Sequence, residues 1–254
     1  MARISWRRLR KGLRGVPGRI LHGYPLAFNP DKRELLDRAF RDLPAGQRSF
    51  ADLGGVWGIG AAYTFYLMDH HRPTRGVLVD TNFTPAVRDR SQRHPALELI
   101  HANFGDAAVP ERVGPVGFVM FFDVLLHQVR PDWDEVLRRY APITRRFVIF
   151  NQQFIAGDRT VRLVDLGMEE YFRHVRFDPA LPGYRELRET PDEINPEYGR
   201  TYRDVHNVWQ WGITDADLIA RLSALGYRLT YHKNHGRFGD FPSFENHAFI
   251  FDRD

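Results

Sequence analysis

Apolar residues follow two periods along most of the chain. Over 31–43 an acidic first turn precedes Leu35, Leu36, Ala39 and Phe40 at helical spacing, and Pro44-Ala45-Gly46 stops the run, so a helix is predicted there. Short apolar runs follow at 49–53, 76–80, 97–101, 117–122 and 146–150. Each has the length and continuity of a strand buried on both faces. Helical patterns at 61–69, 85–93 and 133–140 lie between them. Such alternation predicts βαβ units and a parallel sheet. The rhythm breaks over 153–212, where aromatic, proline and charged residues mix and one helix is predicted near 160–174. It resumes with a helix at 214–225, opened by Thr214 with Asp217 three residues on and closed by Gly226. Strands at 227–232 and 247–251 have only a loop between them and should pair as an antiparallel hairpin. The expected fold is α/β and doubly wound, with a mostly parallel seven-stranded sheet and an antiparallel C-terminal hairpin.

Charge divides the chain at its start. Arg3, Arg7, Arg8, Arg10, Lys11, Arg14 and Arg19 precede the first acid, Asp31, and these seven exceed the whole-chain net charge of +4, which leaves the remainder near −3. The expected organisation is a basic N-terminal arm at 1–30 and one domain over 31–254. The body is not a basic nucleic-acid platform, and no nucleic-acid partner is expected. Within the arm, Trp6, Leu9, Leu13 and Val16 recur at helical spacing, interrupted by Gly12, Gly15 and Pro17. Three readings stay open for residues 1–20: a solvated tail, contact with an anionic membrane surface or lipid-linked substrate, or contact with nucleic acid or an acidic partner. The absence of cysteine removes disulfides, thiolate metal sites and cysteine nucleophiles. With no secretory pattern and no run long enough to span a bilayer, a cytoplasmic protein, peripheral at the membrane if the arm engages it, is the expectation.

Candidate chemistry collects where strands end. Asp52-Leu53-Gly54-Gly55-Val56-Trp57-Gly58 leaves the first strand and leads into a helix. Glycines there let the backbone turn tightly and approach a ligand, and a carboxylate at the strand end suits an ammonium group. Asp80, followed by Thr81, ends the second strand, about 26 residues after Gly54, where an acid can accept both hydroxyls of a ribose. Asp106, in Asn103-Phe104-Gly105-Asp106, follows the third strand, and Asp123 ends the fourth. Ligands of open α/β sheets sit outside these carboxyl ends.

From Phe50 to Phe150 the chain resembles the class I S-adenosylmethionine-dependent methyltransferases, which are Rossmann-like. Asp52 to Gly58 is similar to that family's glycine-rich first motif, with Val56 where a second glycine is commonest. Asp80 stands where the family's ribose-binding acid does, and Asp106 matches the acid beside the adenine. Asp123-Val124-Leu125-Leu126-His127 resembles the segment after the family's fourth strand. The resemblance implies S-adenosyl-L-methionine as cofactor, held by Asp52, Gly54, Gly55, Val56, Trp57, Gly58, Asp80, Thr81, Phe104, Gly105, Asp106 and Asp123. The length of 153–212 and its aromatic content predict an inserted lid over the donor crevice. The rival reading is an NAD-dependent oxidoreductase or a non-catalytic nucleotide-binding protein. A dinucleotide fingerprint reads G-x-G-x-x-G, and its pyrophosphate disfavours an acid beside the loop.

The expected reaction is methylation of a small-molecule acceptor, on an oxygen of a sugar, glycolipid or secondary metabolite. An oxygen acceptor needs a base, for which His127 and His206 are the candidates. Tyr171, Phe172, Tyr184, Tyr198, Tyr202, Trp209 and Trp211 either line an acceptor pocket or form a satellite core. Some similar O-methyltransferases bind magnesium through acids after the fourth and fifth strands and an adjacent Asn. Asp123 and Asn151 hold two of those places, but Phe150 holds that of the second acid, so no metal is expected.

Overall fold

The computed structural model describes residues 20–21, 24–25, 28–176 and 183–253. The patterned part of the basic arm lies outside the described residues. Seven strands form one sheet: β1 (Ser49–Leu53), β2 (Arg75–Asp80), β3 (Leu97–His101), β4 (Phe118–Phe122), β5 (Arg146–Phe154), β6 (Arg228–Arg237) and β7 (Phe244–Asp252). Their order across the sheet is β6-β7-β5-β4-β1-β2-β3. The pairs among β1 to β5 are parallel, and β7 runs antiparallel to both β5 and β6. The expected sheet, with its C-terminal hairpin, is the one observed.

Helices cover both faces. On one lie α1 (Pro30–Arg41), α2 (Ala62–His70) and α3 (Pro85–Ser91), which pack Leu36, Phe40, Phe65 and Val87 against Phe50, Leu78, Phe118 and Val148. On the other lie α4 (Val109–Val113), α5 (Trp133–Tyr140) and, late in the chain, a helix at Asp215–Ala224. These pack Trp133, Leu137, Leu218 and Leu222 against Ala51, Val79, Phe121 and Phe249. Alternate residues of a strand point to opposite faces, which is why runs apolar at every position mark strands covered on both sides. Helix ends follow local chemistry. Asn29 caps α1 by accepting from Asp31 N at 2.7 Å with Pro30 in the first turn, and Thr214 caps the late helix by accepting from Asp217 N at 3.3 Å.

The insertion carries α6 (Met168–His174) and α7 (Tyr184–Glu189), with short strand pairs at 161–162 with 211–212 and at 194–195 with 200–201. The late helix is therefore α8. The long helix expected near 160–174 is replaced by a 3₁₀ turn, Leu163–Leu166, and the seven-residue α6, with Gly167 at φ 87° between them. A third core holds the insertion together: Tyr171, Tyr184 and Trp209 pack with Leu163, Phe241 and Phe244. For those three aromatics the satellite-core alternative is the observed one. The fifth strand also runs four residues past its expected end. Asn151, Gln152 and Gln153 continue it, each about 1% exposed. Among the described residues no helix is long and apolar enough to cross a membrane.

Candidate functional site

The carboxyl ends of β1, β2 and β4 meet at the loop between β1 and α2. Gly54, Gly58 and Gly60 all take positive φ (79°, 77° and 58°), the left-handed region that glycine enters without steric cost. Ala61 follows at φ 59° and starts α2, so the loop holds a non-glycine residue in that region too. Gly54 N donates to Val79 O at 2.8 Å and Ala61 N to Gly55 O at 3.1 Å. A Cβ on Gly55 would overlap the Asp52 carboxylate, which lies directly over that backbone. Gly55 is thus what lets the acid face the loop.

Asp52 is 2% exposed, and the Thr64 hydroxyl donates to its Oδ2. Burial pushes its carboxyl up to about 7; the Thr64 hydrogen bond works against the rise and the Asp80 charge adds to it. Asp80 is buried as well. Its Oδ2 accepts from Val56 N at 3.0 Å and its Oδ1 from Asn82 N at 3.0 Å. Desolvation raises its pKa, and the backbone N–H groups of Val56, Asn82 and Thr81 restrain the rise. Val56, the departure from the glycine pattern, serves through its backbone N–H, while its side chain joins the core.

Phe104 closes the site on the β3 side. Its ring and Val124 would meet a Cβ on Gly54, at 3.2 and 3.1 Å. Tyr140 Oη donates to Phe104 O at 2.8 Å and Arg139 to Gly105 O at 2.5 Å, so α5 fixes that loop while Asp106 stays exposed. Trp57 is 63% exposed at the loop's tip. Asp123 sits at φ 57° at the end of β4, its Oδ2 paired with the Lys32 ammonium and its Oδ1 accepting from Gln152 Nε2 at 2.7 Å.

The two candidate histidines, 79 positions apart, are brought together. His127 Nδ1 lies 2.9 Å from Val208 O, and His206 Nδ1 lies 3.1 Å from His127 O. A carbonyl only accepts, so each ring donates from Nδ1. His206 Nε2 is buried with no hydrogen-bond partner, and burial holds the ring below its ordinary pKa.

No protein-family model matches the sequence, and no curated protein is significantly similar to it. Solved structures are similar. An O-methyltransferase family protein from Burkholderia thailandensis superposes with a TM-score of 0.53 at 16% identity, over 89% of this chain and 55% of that one. The N-terminal domain of EvdMO1 with SAH bound superposes with a TM-score of 0.55 at 14% identity, over 97% of this chain and 94% of that one. The same domain in the presence of SAH and D-fucose gives 0.55 at 12% identity, over 98% and 95%. The chain has the class I methyltransferase fold. It spans little more than half the length of the first of these proteins and nearly all of the second.

Within this methyltransferase fold the sequence missed Lys32, Thr64 and Gln152. Lys32 is three and four residues before Leu35 and Leu36, on the apolar face of α1, and a charge on that face was the available signal. Thr64, fully buried in α2, and Gln152, in a strand the pattern ended too early, left no local signal of a partner.

Proposed function

We propose that the chain is an S-adenosylmethionine-dependent methyltransferase that methylates an oxygen of a small molecule of the sugar, glycolipid or secondary-metabolite class. The observation that carries this reading is the buried Asp52 carboxylate laid over Gly55, with Asp80 beside it. The residues suit the donor. Asp52 receives one hydroxyl hydrogen bond and keeps acceptor capacity for an ammonium group. Asp80 accepts from Val56 N on one oxygen and Asn82 N on the other, with Thr81 N–H also directed at it, and a carboxylate retains acceptor capacity beyond these for a ribose diol. Phe104 and Gly105 supply the adenine side, with Asp106 at its edge. Asp52, buried against the loop itself, would repel the pyrophosphate of a dinucleotide, which disfavours the oxidoreductase reading.

When bound, S-adenosylmethionine supplies an electrophilic methyl group on a sulfonium. The chain's own work is to orient, to exclude water and to take a proton from the acceptor hydroxyl. We assign that proton transfer to His206 Nε2, a neutral, buried lone pair, with His127 holding the ring through its carbonyl. The presence of D-fucose in one EvdMO1 structure supports a sugar-like acceptor here.

Calorimetric titration with S-adenosylmethionine, S-adenosylhomocysteine and NAD tests the reading. Binding of both sulfur ligands and not NAD is expected. Heat with NAD alone, or with none of the three, would overturn it.

A further inference from the structure

A second cluster of chemistry lies on the opposite face of the sheet. Consecutive strand residues point to opposite faces. Gln152 faces Lys32 and Asp123, so Asn151 faces the other side, together with its register partner His247 on β7. His232 on β6 lies on that same face, opposite Phe249, against which its ring stacks at 4.7 Å and 12°. Asp215, in the first turn of α8, reaches down to both histidines.

Three ligand atoms converge there. His247 Nδ1 is 2.8 Å from Asp215 Oδ2, His232 Nε2 is 3.2 Å from the same oxygen, and the two ring nitrogens are 3.2 Å apart. We infer that Asp215, His232 and His247 form a binding site for a divalent transition-metal ion of the zinc type. Metal bonds of about 2.0–2.2 Å set neighbouring ligand atoms about 2.8–3.6 Å apart, octahedral edges at the short end and tetrahedral at the long end. The observed triangle falls in that range. Two imidazoles and one carboxylate are also the donor set such ions take, whereas magnesium prefers oxygen alone.

The surroundings supply a second, independent observation. His247 is 5% exposed, and its Nε2 is buried with no hydrogen-bond partner. Nε2 faces the Glu245 carboxylate 3.6 Å away, beyond hydrogen-bond distance. A metal on Nδ1 places the proton on Nε2, with Glu245 as the outer acceptor that ligating histidines use. Asn151 Oδ1, buried without a partner on the same face, is another acceptor next to His247.

This site would tie the return of the insertion to the hairpin. Thr214 N donates to Thr160 Oγ1 at 3.1 Å, and Thr160 N to Asp217 Oδ2 at 2.5 Å, so the start of α8 anchors both ends of the insertion. A metal on Asp215 would add β6 and β7 to that anchor.

The test uses the full chain, free of any tag and stripped with EDTA, titrated with Zn²⁺ and separately with Co²⁺. One tight equivalent of zinc, a higher unfolding temperature in zinc, and visible d–d absorption with cobalt are expected. His232→Phe keeps a ring over Phe249 but has no ligand nitrogen; Asp215→Asn keeps the side-chain shape. Each should weaken zinc binding by at least about tenfold and abolish the cobalt bands, with circular dichroism unchanged. Should the parent take up no zinc, or should both variants bind it like the parent, the cluster is a hydrogen-bonded triad and the inference falls.

Discussion

The Lys32 ammonium pairs with the Asp123 carboxylate and so ties α1 to the end of β4. Lys32 is 8% exposed, and the rings of Tyr63, Phe122 and Phe150 stand 5.1–5.7 Å from its nitrogen. Removing one member of a buried pair strands the other charge. Lys32→Met should therefore destabilise the fold by about 2–4 kcal/mol, below the fully buried range because Asp123 is partly exposed. Urea unfolding of Lys32→Met, Asp123→Asn and the double variant checks this. The double variant should recover part of the loss; costs that simply add would mean the pair is not coupled.

Gly55 is expected to tolerate no side chain. A Cβ there overlaps the Asp52 carboxylate, so Gly55→Ala must displace the acid or the loop. Donor affinity should fall by at least about tenfold, with a stability loss of about 1–3 kcal/mol. Calorimetry and thermal unfolding read the two separately. Parent-like affinity would place the ammonium site away from Asp52.

Asp80→Asn keeps the shape of the side chain but halves its acceptor capacity. It should weaken donor binding by about 1.5–3 kcal/mol, as expected for hydrogen bonds to a charged group. Affinity within twofold of the parent would move the ribose away from Asp80.

These expectations rest on parts of the molecule that differ in how plainly the sequence displayed them. The first four strands were legible because each is a short, mostly apolar run, broken in β3 only by Glu98 and His101, a local property, and Asp52, Gly54 and Asp80 were legible because they sit where such runs stop. The end of β5 was not. Asn151, Gln152 and Gln153 have the composition of a loop, and only pairing with Phe244–His247 makes them a strand. Lys32 and Asp123 are 91 positions apart, and Asp215, His232 and His247 meet only once α8 is docked on the hairpin. The insertion was misread for a related reason. Its helices are too short to show a period, and they are held by a satellite core assembled from distant aromatics.

Asp52 should leave a pH signature. Its folded-state pKa is raised from 3.8 to about 7, so the folded chain keeps a proton that the unfolded chain has already lost. A raised carboxyl favours the folded state at low pH, and that contribution is lost as pH climbs from about 4 to about 7. Asp52→Asn has no such loss. It should gain on the parent by on the order of 2–4 kcal/mol between pH 5 and pH 8 in urea unfolding. A difference that stays flat with pH would show that Asp52 ionises normally. Under the methyltransferase reading an ammonium against Asp52 favours the carboxylate, so donor binding should tighten as pH rises through about 7, with proton release detectable in buffers of different ionisation enthalpy.

His206 yields the prediction closest to the chemistry. Its Nδ1 proton is committed to His127 O, and burial lowers its pKa from 6.5, so Nε2 is a free lone pair at neutral pH. A base must be unprotonated to act, so kcat should fall on the acid side, with the midpoint below the ordinary histidine value. His206→Gln should reduce kcat by about 10²–10⁴-fold while leaving donor affinity near that of the parent. A purely structural histidine would instead change unfolding temperature and both kinetic constants together, without moving the acid limb. His127→Gln separates the two rings. It keeps the carbonyl that orients His206, so a smaller loss is expected, and a loss in His127→Gln as deep as in His206→Gln would transfer the role of base to His127.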